Sequence, residues 1–453
     1  MVGRSRPFEV VSPGFVAVEE EPGSCDGLTR STYSPPAPFT VVEVTLGADR
    51  ATVLAGLVSE SGDHLVAFHD AKTRRVGIEL RTGDRTTVLA ERRVLGRVRR
   101  MAFVVCANKP TVLVDRGRGW SPAVTGKYPA RRLDLHDPAT LARFTAAWGS
   151  RGGTSDLRLV RAGLFGMAGL RDLHVVQHAD GTPYTRDGRM YLTATCAGLG
   201  FFRQAHWGVF AFDPADIARR DGALHLEQTA HLFSHRDGKL VGDHAGQLVR
   251  DGDRWLVAVS SWGDFAPERG VFVRRVTTSD DLLNGVHVLE TERVPMPTAN
   301  GSYDPGMTRI DGRWYVSYVE SIGHKPSDFH PALAVGPEGE DDWAEGLRRV
   351  GAASDLHQCE GPILARPDGP TGAWRVLTSD GDARRYRAFD LAMCPLGELD
   401  APYGSNIPHP QVIELPDGER IIVTFDGKRY AGRRLDYGTH GDVIVMRATL
   451  PPS

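Results

Sequence analysis

The sequence has no apolar run approaching the roughly 18 residues that a membrane-crossing helix needs, so no span is predicted. It has no excess of charge of either sign. Lys and Arg number 54 against 57 Asp and Glu, for a formal net charge of −3. That balance removes the electrostatic motive for binding nucleic acid or an anionic membrane surface. Cysteine is scarce and scattered. Cys25, Cys106, Cys196, Cys359 and Cys394 form no CxxC pair and no zinc-type spacing, which argues for reduced, buried thiols rather than a disulfide framework. Basic residues in Met1–Arg6 are followed by no apolar segment, so no secretory signal is read and a cytoplasmic location is expected.

What the chain has in quantity is turn residues. It carries 51 Gly and 29 Pro among 453 residues, spaced through short apolar runs, which predicts an all-β protein. The length exceeds what one ordinary core serves, so two domains are expected. Residues 1–38 read as an irregular lead-in ending in Ser34-Pro-Pro-Ala-Pro38. Residues 39–165 read as a β-sandwich, with strands at Phe39–Leu46, Thr52–Ser59, His64–Phe68, Val76–Arg81, Thr86–Glu91, Arg100–Cys106 and Thr111–Val114. One helix is predicted over Asp137–Trp148, with Asp137 as cap, Pro138 in the first turn and Gly149 as terminator. A further strand is expected at Leu157–Phe165, and the domain boundary near Gly166.

From residue 166 to 453 one pattern recurs five times: a polar residue, an apolar strand, an Asp-Gly or similar turn, then a second apolar strand. The copies begin at Asp172, Asp243, Asp304, Glu360 and His409, with turns at Asp187-Gly188, Asp251-Gly252, Asp311-Gly312, Asp368-Gly369 and Asp417-Gly418. An Asp-Gly pair supplies the positive φ values of a tight hairpin turn. Units that cannot bury both faces alone must stack around an axis, and this spacing fits a five-bladed β-propeller. In such a ring the residues that start the innermost strands converge on one end of the central channel. Asp172, Asp243, Asp304 and Glu360 therefore become candidate catalytic residues around one pocket. His174, His244 and His409 fall at or just after the same phase and become candidate substrate contacts.

Arg171-Asp172-Leu173-His174 with Gly188-Arg-Met-Tyr-Leu-Thr-Ala-Thr195, Tyr303-Asp304-Pro305, and Cys359-Glu360-Gly361-Pro362 together resemble the five-bladed furanosidase-like glycoside hydrolases. These are the arabinanase and xylosidase group, with invertases and levanases more distant. The resemblance runs from about Leu170 to Leu450, and the N-terminal strands resemble concanavalin-like or laminin-G-like jelly rolls in pattern alone. It implies a glycoside hydrolase or transglycosidase acting on a furanoside-type glycoside, a small-molecule or oligosaccharide substrate, and no required cofactor. Some relatives hold a central cation through water, so the resemblance also admits a structural calcium ion in the channel. It implies Glu360 as general acid with a raised pKa, Asp172 as base or nucleophile, and Asp304 as the group that orients substrate and tunes the acid. In that group the three acids lie on consecutive blades, whereas Glu360 falls on the fourth copy here. Either the working set is Asp243, Asp304 and Glu360, or Asp172 is retained and Asp243-His244 adds a substrate contact.

Each residue also has a plain structural role open to it. An Asp at a strand start caps a turn, and a histidine there can be an ordinary hydrogen-bonded one. Trp314 and Trp374 sit in apolar runs and read as core. Trp207 and Trp262 sit at strand ends beside polar residues and read as faces for stacking on a sugar. Arg203 and Arg384-Arg385 could clamp an anionic group or simply be solvated. No acid cluster or nucleophile constellation lies in residues 39–150, so the sandwich is expected to pack against the propeller or wall its pocket. Two other functions remain open: a lyase, cyclase or isomerase of an intracellular metabolite on the same pocket, and a non-catalytic carbohydrate-binding protein. Propeller folds host many chemistries and do not choose among these.

Overall fold

The computed structural model describes residues 3–5, 16–49, 51–165, 169–197, 199, 202–218, 225–266, 268–404, 406–415, 418–429 and 440–447. The fold is all-β, with a barrel-like sheet followed by a propeller-like arrangement of smaller sheets. Among the described residues helix is confined to single turns such as Pro138–Leu141 and Pro214–Ala218.

The barrel-like sheet has eleven strands and is built on one long strand, Phe144–Leu164. Its first half pairs with Thr52–Ser59 on one edge and Gly23–Arg30 on the other. Its second half pairs with Phe39–Asp49 and with Val16–Glu20. The sheet curls so that Trp120–Thr125 packs over Arg75–Thr82 and Arg85–Arg93. Val42, Val44, Leu57, Ile78, Phe103 and Trp148 fill the enclosed core.

Two expectations are corrected here. The lead-in is not irregular throughout, because residues 16–30 supply two of the sheet's strands. The helix over Asp137–Trp148 shrinks to Pro138–Leu141, capped as expected by Asp137, which accepts from the Thr140 amide at 3.0 Å. Phe144, Ala146 and Trp148 alternate inward and are fully buried, so two-residue periodicity and the open edge of Thr52–Ser59 outweigh helix propensity there. The expected strand at Leu157–Phe165 is the second half of the same long strand, and the boundary near Gly166 lies outside the described residues.

Five sheets follow, and their first strands are Leu170–Val175, His244–Asp251, Gly301–Ile310, Cys359–Ala365 and Gln411–Glu414. Asp187-Gly188 and Asp311-Gly312 turn with positive φ at both residues, as hairpins of this length need, whereas Asp417 lies outside the described residues. Side chains tie each sheet to the next. Thr193 Oγ1 donates to the Gly246 carbonyl at 2.7 Å, the Asp304 amide to Ser260 Oγ at 2.9 Å, and Ser317 Oγ to the Pro362 carbonyl at 2.8 Å. Ile363, Leu377 and Val412 pack the fourth sheet against the fifth. The circuit closes where the Val175 amide donates to Gln411 Oε1 at 3.1 Å. The last sheet is completed by the N-terminal strand Gly3–Ser5, antiparallel to His440–Arg447.

Candidate active site

The first strands of four sheets share a defect that builds the pocket. Their ladders slip between Arg171 and His174, His244 and Gln247, Tyr303 and Gly306, and Glu360 and Ile363. Within each bulge one residue takes a left-handed conformation: Asp172 (φ 50), Ala245 (φ 53), Asp304 (φ 49) and Gly361 (φ 61). A bulge inserts a residue and re-aims side chains, and such strained positions concentrate where function needs an awkward direction. The bulges also fix the register between sheets. Arg171, His244, Tyr303 and Glu360 are equivalent, and so, one residue on, are Asp172, Ala245, Asp304 and Gly361. The four acids therefore do not share one phase, and Asp243 falls one residue early.

Arg171, Asp172, His244, Trp262, Asp304 and Glu360, with Asn406, His409 and Phe425, line one cavity of about 60 Å³. His409 lies at its centre, with Nε2 at 3.6 Å from Asp172 Oδ1 and 3.5 Å from Asp304 Oδ2. Asp304 Oδ2 also accepts the Gly361 amide at 3.1 Å. Glu360 is half-buried, and Tyr303 donates its phenol to Oε1 at 3.2 Å. Trp262 forms a wall, stacked on His244 with ring centres 6.3 Å apart and edge-on to Tyr303 at 5.0 Å.

Electrostatics separate the two aspartates. Burial, reinforced by Glu360 and Asp172, pushes Asp304 up to about 7 against the pull of His409 and the Gly361 amide. Burial works the same way on Asp172, but Arg171, His409 and His244 outweigh it and hold that carboxyl below the usual range. His409 loses hydration by burial, yet Asp304, Asp172 and Glu360 raise it to about 9, so it carries a positive charge at neutral pH. A pair of carboxyls whose environments pull their protonation apart is the arrangement acid–base catalysis requires.

Four expected site residues lie elsewhere. Asp243 is fully buried in an ion pair: Arg236 donates from Nε at 2.7 Å and Nη2 at 2.8 Å, and the Gly263 amide donates at 3.0 Å. Trp207 is core, packed with Val209, Leu248 and Trp255 between the first two sheets. Arg203 donates from Nε and Nη2 to the Phe265 carbonyl at 2.9 and 2.7 Å and borders a different groove, beside Lys239 and Asp264. His174 is buried beside the pocket without lining it. Neither of its ring nitrogens has a hydrogen-bond partner among the described residues, and burial, with the charge of His409, pushes it down to about 3. Trp314 is core as expected, whereas Trp374 is half-buried and lines a second cavity.

Sequence reasoning assigned no role to Arg171, Tyr303, Asn406 or Phe425. Arg171 and Tyr303 precede the two bulged aspartates, so their signal was adjacency. Asn406 and Phe425 carry none, because Phe425 reaches the pocket from a second strand, with its ring 5.7 Å from that of His409.

No protein-family model matches the chain. No curated protein matches it by sequence. Among solved structures, the chain is similar to an alpha-L-arabinofuranosidase from Lactobacillus brevis, at 11% identity over 63% of this chain and 92% of that one, with a TM-score of 0.42. It is similar to an alpha-L-arabinanase from Penicillium chrysogenum, solved with arabinobiose, at 12% identity over 90% and 98% of the two chains, with a TM-score of 0.37. A sucrose-6-phosphate hydrolase from Lactobacillus gasseri shares 12% identity over 63% and 60%, with a TM-score of 0.42.

Proposed function

We propose that the pocket cleaves or transfers a glycoside, of furanoside type, by carboxylate acid–base catalysis. The observation that carries this reading is the convergence of Asp172, Asp304 and Glu360 from three sheets, with Asp172 held ionised and Asp304 held protonated toward neutrality. Asp172 serves as base or nucleophile. Asp304 and Glu360 repel one another as like charges, so one proton stays on that side of the pocket. Glu360, half-buried and steadied by Tyr303, faces the leaving oxygen as the general acid, with Asp304 orienting substrate beside it. Arg171 and His244 hold substrate hydroxyls, and Trp262 offers its ring edge to the sugar.

The equivalent bulges and the closed circuit of side-chain ties support counting the five sheets as five blades. The curled N-terminal sheet supports a sandwich-type domain over residues 39–165, enlarged by the strands of 16–30. Calcium takes six to eight oxygen ligands, but here the charged His409 lies between Asp172 and Asp304. The donor set does not favour calcium there, and His409 acts as the channel's own cation.

The test is release of nitrophenol from a panel of nitrophenyl furanosides and pyranosides by wild type, Glu360→Gln and Asp172→Asn. Turnover by wild type that falls in both variants supports the reading. Turnover unchanged in both variants sinks it. The narrowness of the pocket favours a second reading, a lyase, cyclase or isomerase of a small metabolite. Product formed with no glycosyl group passed to water or to an added acceptor would select it.

A further inference from the structure

A second concave site lies on the N-terminal sheet, and its lining shares no residue with the acidic pocket. It is a groove of about 710 Å³ between the end of strand Phe39–Asp49, the connection 94–99 and the turn 116–119. That volume is within the range of small-molecule sites. Arg97, Arg99, Arg116, Arg118 and Arg158 line it, all exposed, and its described lining includes no carboxylate.

Two acids of the adjoining strands, Asp115 and Glu43, are already engaged. Asp115 Oδ2 accepts from Arg100 Nε and Nη2 at 3.0 and 2.6 Å, and Glu43 accepts from Arg100 Nη1 at 3.3 Å. Asp115 Oδ1 accepts the amides of Gly117, Arg118 and Gly119 at 2.6, 3.1 and 3.1 Å. Arg97 and Arg116 donate to the carbonyls of Gly47 and Leu95, each at 3.1 Å, which fixes the guanidinium groups without neutralising them. The protein as a whole is slightly acidic, so this concentration of positive charge is local. A concave surface lined by one sign of charge focuses the field onto a counter-ion. Guanidinium groups match carboxylate, sulfate and phosphate with paired hydrogen bonds.

We propose that this groove binds a compact sugar bearing two or more carboxylate, sulfate or phosphate groups. Five arginines exceed the needs of a single oxyanion, and the confined volume suits a short ligand. Thr45 and Ser121 add hydroxyls for a sugar, beside the exposed side chain of Leu95. Nucleic acid is disfavoured because single strands need open aromatic platforms. Trp120, the aromatic residue in the described lining, lies under Arg100 at 4.6 Å and packs against the core beneath. The site stands independently of the chemistry assigned to the acidic pocket.

The test is calorimetric titration of the full chain with trigalacturonate, a heparin-derived tetrasaccharide and fructose 1,6-bisphosphate, which separate the three oxyanion sources. A neutral trisaccharide and a short DNA duplex are the controls. At least one acidic sugar is expected to bind, more weakly as salt rises, while the neutral one does not. The combined Arg99→Ser, Arg118→Ser and Arg158→Ser variant should bind at least tenfold more weakly with an unchanged melting temperature. Glu360→Gln should bind like wild type. The proposal is overturned if none of the three acidic sugars binds, if the serine variant binds as tightly as wild type, if Glu360→Gln abolishes binding, or if the duplex outbinds every sugar.

Discussion

A methyl group on Gly361 would sit 2.2 Å from Cγ of His409, so the backbone of the fourth sheet's bulge touches the imidazole at the pocket's centre. Gly361 is also left-handed, with φ 61. Gly361→Ala should therefore cost about 1–3 kcal/mol of stability in backbone strain and displace His409 from its carboxylates. A misplacement of that kind lowers turnover about 10²-fold. Urea unfolding and steady-state kinetics on the same preparation check both parts.

Loss of a positioned acid or base typically lowers turnover by about 10²–10⁴-fold. Glu360→Gln and Asp172→Asn should fall in that range with melting temperatures near wild type. Asp243→Asn should do the reverse. Arg236 is almost fully buried and would keep only Asp264 and Asp237, so the cost should lie near the lower end of the roughly 3–5 kcal/mol for breaking a buried pair. Activity assayed well below its lowered melting temperature should persist.

The pH profile of turnover follows from the pocket's proton. Its alkaline limb should fall between about 7 and about 9, as Asp304 and then His409 lose their protons. Its acid limb should lie below the ordinary aspartate value, because Asp172 is held ionised. In His409→Gln the acid limb should move to higher pH, since a positive neighbour of Asp172 is gone. An acid limb that stays in place would show that His409 does not act on Asp172.

Stability should be lost on both sides of neutrality. His174 and His231 are each pushed by burial to about 3, below an unfolded value of 6.5. Their contribution is complete above pH 6.5 and declines as pH falls toward 3, because the unfolded chain binds protons that the fold refuses. His409 is raised, so its contribution is complete below 6.5 and is lost as pH climbs through about 9. Asp304, also raised, loses its share between about 4 and 7, which the two histidines together outweigh. Thermal melting across pH should show a maximum near neutrality, and His174→Gln should flatten the acid side.

The two candidate sugar-stacking tryptophans should behave differently. Trp207→Ala opens the core between two sheets and should cost about 3–5 kcal/mol. Trp262→Ala removes a pocket wall and should raise KM more than it lowers stability. Calorimetry beside kinetics separates these outcomes.

Strands written as short apolar runs were legible to the residue. Thr52–Ser59 and Arg100–Cys106 have the bounds that their side-chain pattern predicts. Phe144–Trp148 was misread because a cap and a proline at Asp137-Pro138 announce a helix, while the partner strand that captures the segment lies some ninety positions earlier. At the site, residue type located Asp172, Asp304, Glu360, His244 and His409, but phase misled. A bulge adds a residue to one strand without leaving a mark in composition, so aligning acid with acid drew in Asp243. Its true partner, Arg236, sits just upstream on the previous sheet's outer strand and looks in sequence like any surface arginine.

The strand Gly3–Ser5 has a consequence for how the molecule is made. It pairs with Val443, Ile444 and Val445, about 440 positions further along the chain, so it has no place in the sheet until His440–Arg447 has been made. Contacts of such sequence separation are slow to form. The strand works as a latch that closes this sheet only once its distant partner is in place, and its loss would loosen the ring far along the chain from the chemistry.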